Sequence, residues 1–348
     1  MDMRPASSVR SACKPASRPL RYSAISLFAV GAILAGCSSV PPSPKVATAQ
    51  ASTPSPLPTL SAADAPLPPE KTGGFDAARA YAHVARLVEI GPRPPASEGI
   101  RRAQTYIRGE LRAYGCAVEE DDFTASTPIG KVAMKNIVAK VQGTGRGVVL
   151  LLTHYDTLRM PGFVGANDGG SSTGVLLEMA RVLCNASSQK TARALSIWIA
   201  FLDGEEAQVS WTDTDSVYGS RELAARLANS GDLARVKAVL LADIVGNREL
   251  KVMRESNSTA WLTDLVWTTA ARLGYAAIFV KEVTIIQDDH LPFVHRKVAA
   301  VDLIAGDYVG HPPWHTTEDT LEKISPRNLG VVGHVLLETL PALEKKFR

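Results

Sequence analysis

The chain has 348 residues, and its 38 Lys and Arg against 35 Asp and Glu give a formal net charge of +3. Residues 1–36 contribute +4 of that charge, with five basic residues (Arg4, Arg10, Lys14, Arg18 and Arg21) against Asp2, so the remainder carries −1. The basic balance therefore belongs to the amino-terminal segment, and it excludes a charge-based argument for nucleic-acid binding.

The amino-terminal segment, residues 1–36, is typical of a bacterial lipoprotein signal. Its basic residues precede an apolar run at 22–35, which is too short to span a bilayer comfortably. The run ends in Leu-Ala-Gly before Cys37, a pattern that predicts cleavage before Cys37 and attachment of lipid to its sulfur. The alternative is an ordinary cleaved signal with an incidental cysteine.

Residues 37–72 are predicted to be a disordered tether, because they are rich in Pro, Ala and Ser and poor in large apolar residues. The sequence thus predicts a lipid-anchored protein of the cell envelope. Ser38, directly after the lipidated cysteine, resembles the pattern of outer-membrane lipoproteins, so we expect the protein to face the periplasm from that membrane. Residues 73–348 are long enough for one substantial folded core.

Helical and strand-like patterns alternate along residues 73–348. Helical periodicity occurs at 75–90, 97–114, 171–184, 219–229, 258–273 and 325–345, and strand-like runs occur at 116–123, 132–142, 147–153, 194–202, 236–242 and 298–304. This alternation predicts a three-layer α/β/α sandwich around a mostly parallel, twisted mixed sheet. The first two strand-like runs adjoin and predict an antiparallel hairpin at the sheet edge. Cys116 and Cys184 lie beside apolar runs, and we expect them to be buried and unpaired, although an exported protein can pair them.

Acidic and histidine residues follow the strand-like runs or lie in the loops between them, in the order His154, Asp156, Asp168, Glu205, Glu206, Asp243 and His315. In open α/β sheets, ligands bind at the carboxyl ends of the strands, where most of these residues fall. Two adjacent glutamates at a buried strand end repel each other and lose hydration, so a cation is expected to hold them. Each residue alone has a plainer explanation, such as helix capping by Asp168. Together, carboxylate and imidazole groups without thiolates indicate a catalytic zinc site.

His154 and Asp156 are two residues apart at a strand end, so their side chains are expected to point to the same side. This spacing suits a histidine ligand whose second ring nitrogen is held by the neighbouring carboxylate. His290 follows two acids at the start of a short helical run, and we expect it to be a capping or buried hydrogen-bonded histidine and not a ligand.

The order and spacing of these residues resemble the zinc-dependent aminopeptidase family, which has an α/β/α fold. The phrase Val88–Pro94 (Val-Glu-Ile-Gly-Pro-Arg-Pro) is also similar to that family. Within it, the chain most resembles the animal-type glutaminyl cyclases. Three stretches carry this closer resemblance: residues 203–221, in which Trp211 lies in an insertion after the glutamates, residues 286–293, and residues 314–316.

The cyclase resemblance implies a role for each matching residue. Asp168, Glu206 and His315 would bind one Zn²⁺, Glu205 would be the general acid/base, and Asp243 and Asp288 would form a hydrogen-bond relay with it. Trp211, Gln287 and Trp314 would grip the N-terminal residue of the substrate, although Trp211 and Trp314 could instead be core aromatics. The partners implied are the N-termini of peptides or proteins. An N-terminal glutamine would cyclise to pyroglutamate with release of ammonia.

Two other functions stay open. In an ordinary zinc aminopeptidase, His154 and Asp243 would hold a second zinc and Asp168 would bridge the pair. Both ligand sets are intact, so ligand identity alone does not choose between the two enzymes. The third alternative is a metal-free binding lipoprotein, which is disfavoured because such relatives usually lose ligands.

Overall fold

Within residues 60–185 and 193–347, which the computed structural model describes, eight strands form one mixed sheet. The strands are β1 (Ala117–Thr127), β2 (Gly130–Val141), β3 (Val148–His154), β4 (Ser196–Leu202), β5 (Val236–Asp243), β6 (Val252–Glu255), β7 (Phe279–Thr284) and β8 (Ala300–Ile304). Their order is β1-β2-β4-β3-β5-β8-β6-β7, and β4, β3, β5 and β8 are mutually parallel. The antiparallel β1–β2 hairpin lies at one edge, as predicted.

Seven α-helices pack against this sheet within the described residues. They are α1 (Ala77–Ile90), α2 (Glu98–Ala113), α3 (Gly170–Cys184), α4 (Tyr218–Ser230), α5 (Ala260–Arg272), α6 (Leu291–Val294) and α7 (Pro326–Lys346). Alternate residues of β3 face two separate cores: Val149 and Leu151 pack with α1, α2, α3, α5 and α7, whereas Leu150 and Leu152 pack with α4 and α6. All seven residues of β3 are buried, because helices cover both faces of the sheet. The structure confirms the three-layer α/β/α sandwich.

The sequence patterns did not predict two of the strands, β6 and β7. β6 has only four residues, and only one of the six residues of β7 is buried, so neither shows a continuous apolar run or a clean alternation. They pair with each other in parallel and extend the sheet beyond β8, to which β6 is antiparallel.

The predicted signal at 1–36, the lipidation site Cys37 and residues 38–59 of the predicted tether lie outside the described residues. Residues 60–72, also assigned to the tether, contain two short 3-10 helices, at Ala62–Asp64 and Pro69–Lys71. Asp64 and Thr72 are buried, so folded contacts begin before residue 73. No helix in the described part of the chain is long and apolar enough to cross a membrane.

Cys116 and Cys184 form a disulfide, so the expectation of unpaired cysteines is wrong. Their Cα atoms are 5.1 Å apart although 68 positions separate them in sequence. The fold brings them together because Cys116 immediately precedes β1 and Cys184 is the last residue of α3. Neither local pattern nor spacing carries that information.

Replacing both cysteines with serine should destabilise the protein. The bond closes a long loop, and loss of such a restraint on the unfolded chain costs ~4 kcal/mol at this loop length. Urea unfolding of Cys116→Ser/Cys184→Ser, compared with untreated and chemically reduced wild type, measures the effect. The variant should match the reduced wild type, and equal stability in all three samples would show that the bond contributes nothing.

Candidate active site

Nine residues that the sequence predicted as catalytic, substrate-binding or metal-binding line one cavity of about 470 Å³. They are Asp168, Glu205, Glu206, Trp211, Asp243, Gln287, Asp288, Trp314 and His315. The loop after β4 supplies the two glutamates, the end of β5 supplies Asp243, and the loop after β7 supplies Gln287 and Asp288. His154, the predicted ligand of a second metal, is fully buried behind two of these residues, Asp168 and Asp243.

Asp168, Glu206 and His315 form a cluster that fits a metal ion. His315 Nε2 lies 3.3 Å from Asp168 Oδ2 and 3.4 Å from Glu206 Oε2. Both carboxylate oxygens are buried and have no hydrogen-bond partner. Ligands about 2.0–2.2 Å from a tetrahedral zinc ion are separated by about 3.3–3.6 Å, so the observed separations match the edges of such a site. The unpartnered oxygens are therefore placed as zinc ligands would be.

The remaining oxygens and backbone groups of this cluster are held by hydrogen bonds. The Leu158 N–H donates to Glu206 Oε1 at 3.1 Å, which leaves Oε2 free to face His315. The carboxylate of Asp319 accepts from the N–H groups of Asn167 at 2.8 Å and Asp168 at 3.0 Å. These partners fix the Glu206 carboxylate and the backbone of Asp168 before any ion binds.

His154, Asp168 and Asp243 form a second cluster with the same ligand chemistry. His154 Nε2 lies 3.1 Å from Asp243 Oδ1, with which it forms a hydrogen bond, and 3.3 Å from Asp168 Oδ1. Asp243 Oδ1 also accepts from the Ile244 N–H. The second cluster thus differs from the first, because its nitrogen and the Asp243 oxygen already have protein partners.

Asp156 interacts with both His154 and the glutamate pair. Its Oδ1 faces His154 Nδ1 at 3.6 Å, so the carboxylate lies on the predicted side of the ring but beyond hydrogen-bond distance. The two oxygens of Asp156 also accept from the backbone N–H groups of Glu205 at 3.1 Å and Glu206 at 3.4 Å. Asp156 therefore fixes the turn that presents both glutamates to the cavity.

Glu205 is a buried acid that lines the cavity. Burial raises the pKa of its carboxyl well above the usual range; His154 opposes this shift, whereas Glu206 and Asp288 add to it. Burial likewise raises the pKa of Asp288, with Asp243 and Asp289 adding to the rise. Carboxyl groups with raised pKa values can exchange protons near neutral pH, which is the property required of a general acid/base.

The three groups of the ligand cluster shift one another's pKa values. Burial raises the pKa of Glu206 to about 7, and Asp168 adds to the rise. Burial alone would lower the pKa of His315, but its contacts with Asp168 and Glu206 outweigh that effect and raise it to about 10. Opposite charges at these separations hold the three groups together.

The mouth of the cavity is apolar and uncharged. Trp211 is 37% exposed, and its Nε1–H donates to Gln287 Oε1 at 3.1 Å, so this tryptophan is not a core residue. Val209 and Ile285 also line this cavity and are 66% and 76% exposed. Trp314 is half-buried and stacks on His315 with ring centroids 3.7 Å apart. Trp211, Trp314 and Gln287, which we call the wall of the cavity, therefore combine aromatic faces with one amide that can hydrogen-bond a ligand.

The sequence did not predict Asp319, which holds the backbone N–H of Asp168, or the bonds from Asp156 to the backbone of the two glutamates. Asp319 lies four residues after His315. His290 matches its expectation, because it is fully buried and its Nε2 pairs with Glu255 at 3.0 Å.

Comparisons with known proteins agree with this geometry. Residues 136–340 match peptidase family M28. A glutaminyl-peptide cyclotransferase-like protein of Mus musculus is 31% identical over 270 residues, which cover 70% of this chain and 70% of that protein.

Solved structures of similar proteins cover more of the chain. An Acidobacteriales glutaminyl cyclase is 37% identical with a TM-score of 0.73, covering 83% of this chain and 99% of its own. A Porphyromonas gingivalis glutaminyl cyclase is 31% identical with a TM-score of 0.71, covering 77% and 98%. A protein of Parabacteroides distasonis described as a Zn-dependent exopeptidase is 28% identical with a TM-score of 0.68, covering 76% and 98%.

Proposed function

This chain belongs to peptidase family M28, and we propose that it acts as a zinc-dependent glutaminyl-peptide cyclotransferase. The substrate would be a peptide or protein with an N-terminal glutamine, and the products would be the pyroglutamyl chain and ammonia. The observation that carries this proposal is one cavity that combines the Asp168, Glu206 and His315 cluster, the buried acid Glu205 and the Trp211–Gln287 wall. The cyclotransferase and cyclase names of the similar proteins support it.

A single zinc ion would be held by Asp168 Oδ2, Glu206 Oε2 and His315 Nε2. When bound, it would supply Lewis acidity toward the carbonyl oxygen of the substrate's γ-carboxamide. We propose one zinc ion and not two because the two clusters differ in how many of their ligand atoms already have protein partners. The first presents unpartnered carboxylate oxygens, whereas His154 and Asp243 already bind each other.

Glu205 would carry the proton that the reaction moves. The α-amine of the substrate attacks the γ-carboxamide carbon, a C–N bond to the amine forms, and the C–N bond to the departing nitrogen breaks. The Glu205 carboxylate takes the proton that the attacking amine loses and returns it to the departing nitrogen, which leaves as ammonia. Asp288 and Asp243, both buried, would form the hydrogen-bond relay with Glu205, and the charge of Asp288 also raises the pKa of Glu205.

The aromatic wall would select the conformation that cyclises. The glutamine side chain must fold back toward its own α-amine, and confinement of the two reacting groups supplies much of the advantage of an intramolecular reaction. Trp211 and Trp314 bound the cavity that would hold the folded side chain, and Gln287 lies beside Trp211.

A zinc aminopeptidase is the second candidate, and one observation favours it. The His154, Asp168 and Asp243 cluster has the ligand types of a second zinc site, and Asp168 contributes one oxygen to each cluster. In that enzyme, Glu205 would deprotonate a water molecule and the peptide bond would be cut.

A competition between two substrates should separate the candidates. We expect the purified domain to convert a Gln-peptide to a product lighter by the mass of ammonia and to leave a Leu-peptide intact, because leucine has no carboxamide to cyclise. Both peptides are followed by mass spectrometry in one reaction. Release of free leucine with an unchanged Gln-peptide would rule out the cyclase and leave the aminopeptidase.

The two adjacent glutamates should respond differently to the same substitution. Glu205→Gln removes the proton carrier and should lower kcat by ~10²-fold or more while one equivalent of zinc stays bound. Glu206→Gln removes a ligand and should lower the zinc content itself. Turnover assays and metal analysis after dialysis measure both effects, with the exposed Glu70→Gln as the matched control. Near-normal turnover in Glu205→Gln would refute its assigned role, and two zinc equivalents in the wild type would refute the single-ion site.

We also propose that the mature protein starts at a lipidated Cys37 and is held at the outer membrane by the tether that follows. The basic amino-terminal segment, the short apolar run and the Leu-Ala-Gly-Cys ending support this. Cys37→Ala should abolish lipidation and release the protein from the membrane fraction, whereas Cys13→Ala, inside the predicted signal, should change nothing. Fractionation and mass analysis of the mature amino terminus provide the measurement. A wild-type protein with an unlipidated amino terminus elsewhere would contradict the anchor.

A further inference from the structure

Arg93 is the largest side chain with no exposed surface in the described part of the chain. It lies shortly after α1, and its guanidinium binds only backbone carbonyl oxygens. Nε donates to Tyr155 O at 2.7 Å, Nη1 to Val164 O, and Nη2 to Gly165 O at 2.9 Å. Within the described residues, Arg93 forms no ion pair with a carboxylate. A fully buried guanidinium without a contacting anion is costly, so its retention calls for an explanation.

The three carbonyl groups belong to the loop between β3 and α3, which carries much of the site. Tyr155 is at the start of this loop, and Val164 and Gly165 are near its end, so one planar side chain ties the two ends together. Asp156, which holds the glutamate pair, directly follows Tyr155, and the ligand Asp168 lies three residues after Gly165.

Two further hydrogen bonds join the Arg93 backbone to Thr157 in the same loop. The Arg93 N–H donates to Thr157 Oγ1 at 3.0 Å, and the Thr157 N–H donates to the Arg93 carbonyl oxygen at 3.4 Å. Thr157 is fully buried. The loop is therefore fixed to Arg93 by side-chain and backbone contacts.

The charge of Arg93 acts on the same groups through space. Burial lowers the pKa of Arg93 to about 10, while the charges of Asp156, Asp319, Asp168 and Glu206 oppose that change. Arg93 is therefore a cation at neutral pH. Two of these acids, Asp168 and Glu206, would be neutralised by a divalent ion, and Arg93 would offset one further negative charge at Asp156.

We infer that Arg93 is a positioning residue for the zinc ligands. It ties the β3–α3 loop into the shape that presents Asp156 and Asp168, and it offsets part of their negative charge, so that the ligand cluster exists before zinc arrives. This inference rests on the zinc site of the proposed function and not on the reaction catalysed there.

Zinc affinity, measured by competition with a chelator, tests the inference without any assay of turnover. Arg93→Lys keeps the charge, but a compact ammonium cannot span three separated carbonyls as a planar guanidinium does. Arg93→Met removes both charge and donors. We expect Arg93→Lys to weaken Zn²⁺ binding by about 10- to 100-fold, as loss of a residue that orients ligands does, and Arg93→Met to weaken it further.

The matched control is Arg102→Lys, because Arg102 also donates to a carbonyl oxygen, that of Ile90, but does not contact the loop. Thermal unfolding with and without Zn²⁺ supplies the second readout. A merely structural arginine would lower the melting temperature of both forms equally and leave the zinc dissociation constant unchanged, and that result overturns the inference.

If the Arg93 variants do not fold, a smaller substitution at Thr157 tests the inference. Thr157→Val removes the side-chain acceptor of the Arg93 N–H and should weaken zinc binding by a few-fold, whereas unchanged affinity overturns the inference. A wild-type protein that binds no Zn²⁺ overturns the proposed function together with this inference. Tight wild-type binding that all these variants retain overturns only the role of Arg93.

Discussion

The concentration of buried carboxyl groups at one end of the sheet is the constraint on which the site depends. The buried acids there include Asp156, Asp168, Glu205, Glu206, Asp243, Asp288, Asp289 and Asp319. Such groups lose hydration and repel one another unless protons, hydrogen bonds or cations compensate. Asp156 and Asp319 accept hydrogen bonds from backbone N–H groups. His154 and His315 each lie close to Asp168, and Arg93 binds the backbone of the loop that carries Asp156 and Asp168. The oxygens that stay unpartnered toward His315 are the ones that a divalent ion would neutralise.

The parallel centre of the sheet explains how distant residues assemble. Asp168 precedes α3, Glu206 follows β4, and His315 lies in the loop after β8, so the cluster joins segments far apart in the sequence. β3, β4, β5 and β8 run in one direction, so their carboxyl ends lie at one end of the sheet. The ligand cluster therefore exists only in the folded chain, and an ion that binds it stabilises the folded state relative to the unfolded one.

The sequence predicted the parts of this molecule that local pattern controls. Continuous apolar runs identified β3, β4 and β5, and the acids and histidines at or after the strand ends identified the ligand candidates. β6 and β7 were missed because short or exposed strands bury too little to produce a pattern. Three other features were missed for a different reason: the Cys116–Cys184 bond, the hydrogen bonds from Arg93 to its loop, and those from the glutamate backbone to Asp156. Each depends on which segments the fold brings together, and no single stretch of sequence records that.

The two oxygens of Asp168 face different clusters, Oδ1 toward His154 and Oδ2 toward His315. One residue thus belongs to two overlapping clusters of candidate metal ligands. Because the two clusters share this residue, a change in what surrounds His154 and Asp243 would alter the second cluster without replacing any candidate ligand. Among relatives built on this scaffold, an inventory of conserved ligands would group enzymes that catalyse different reactions. The residues that diverge with the reaction should be sought in the loops around the cavity mouth, where Trp211 and Ile285 lie.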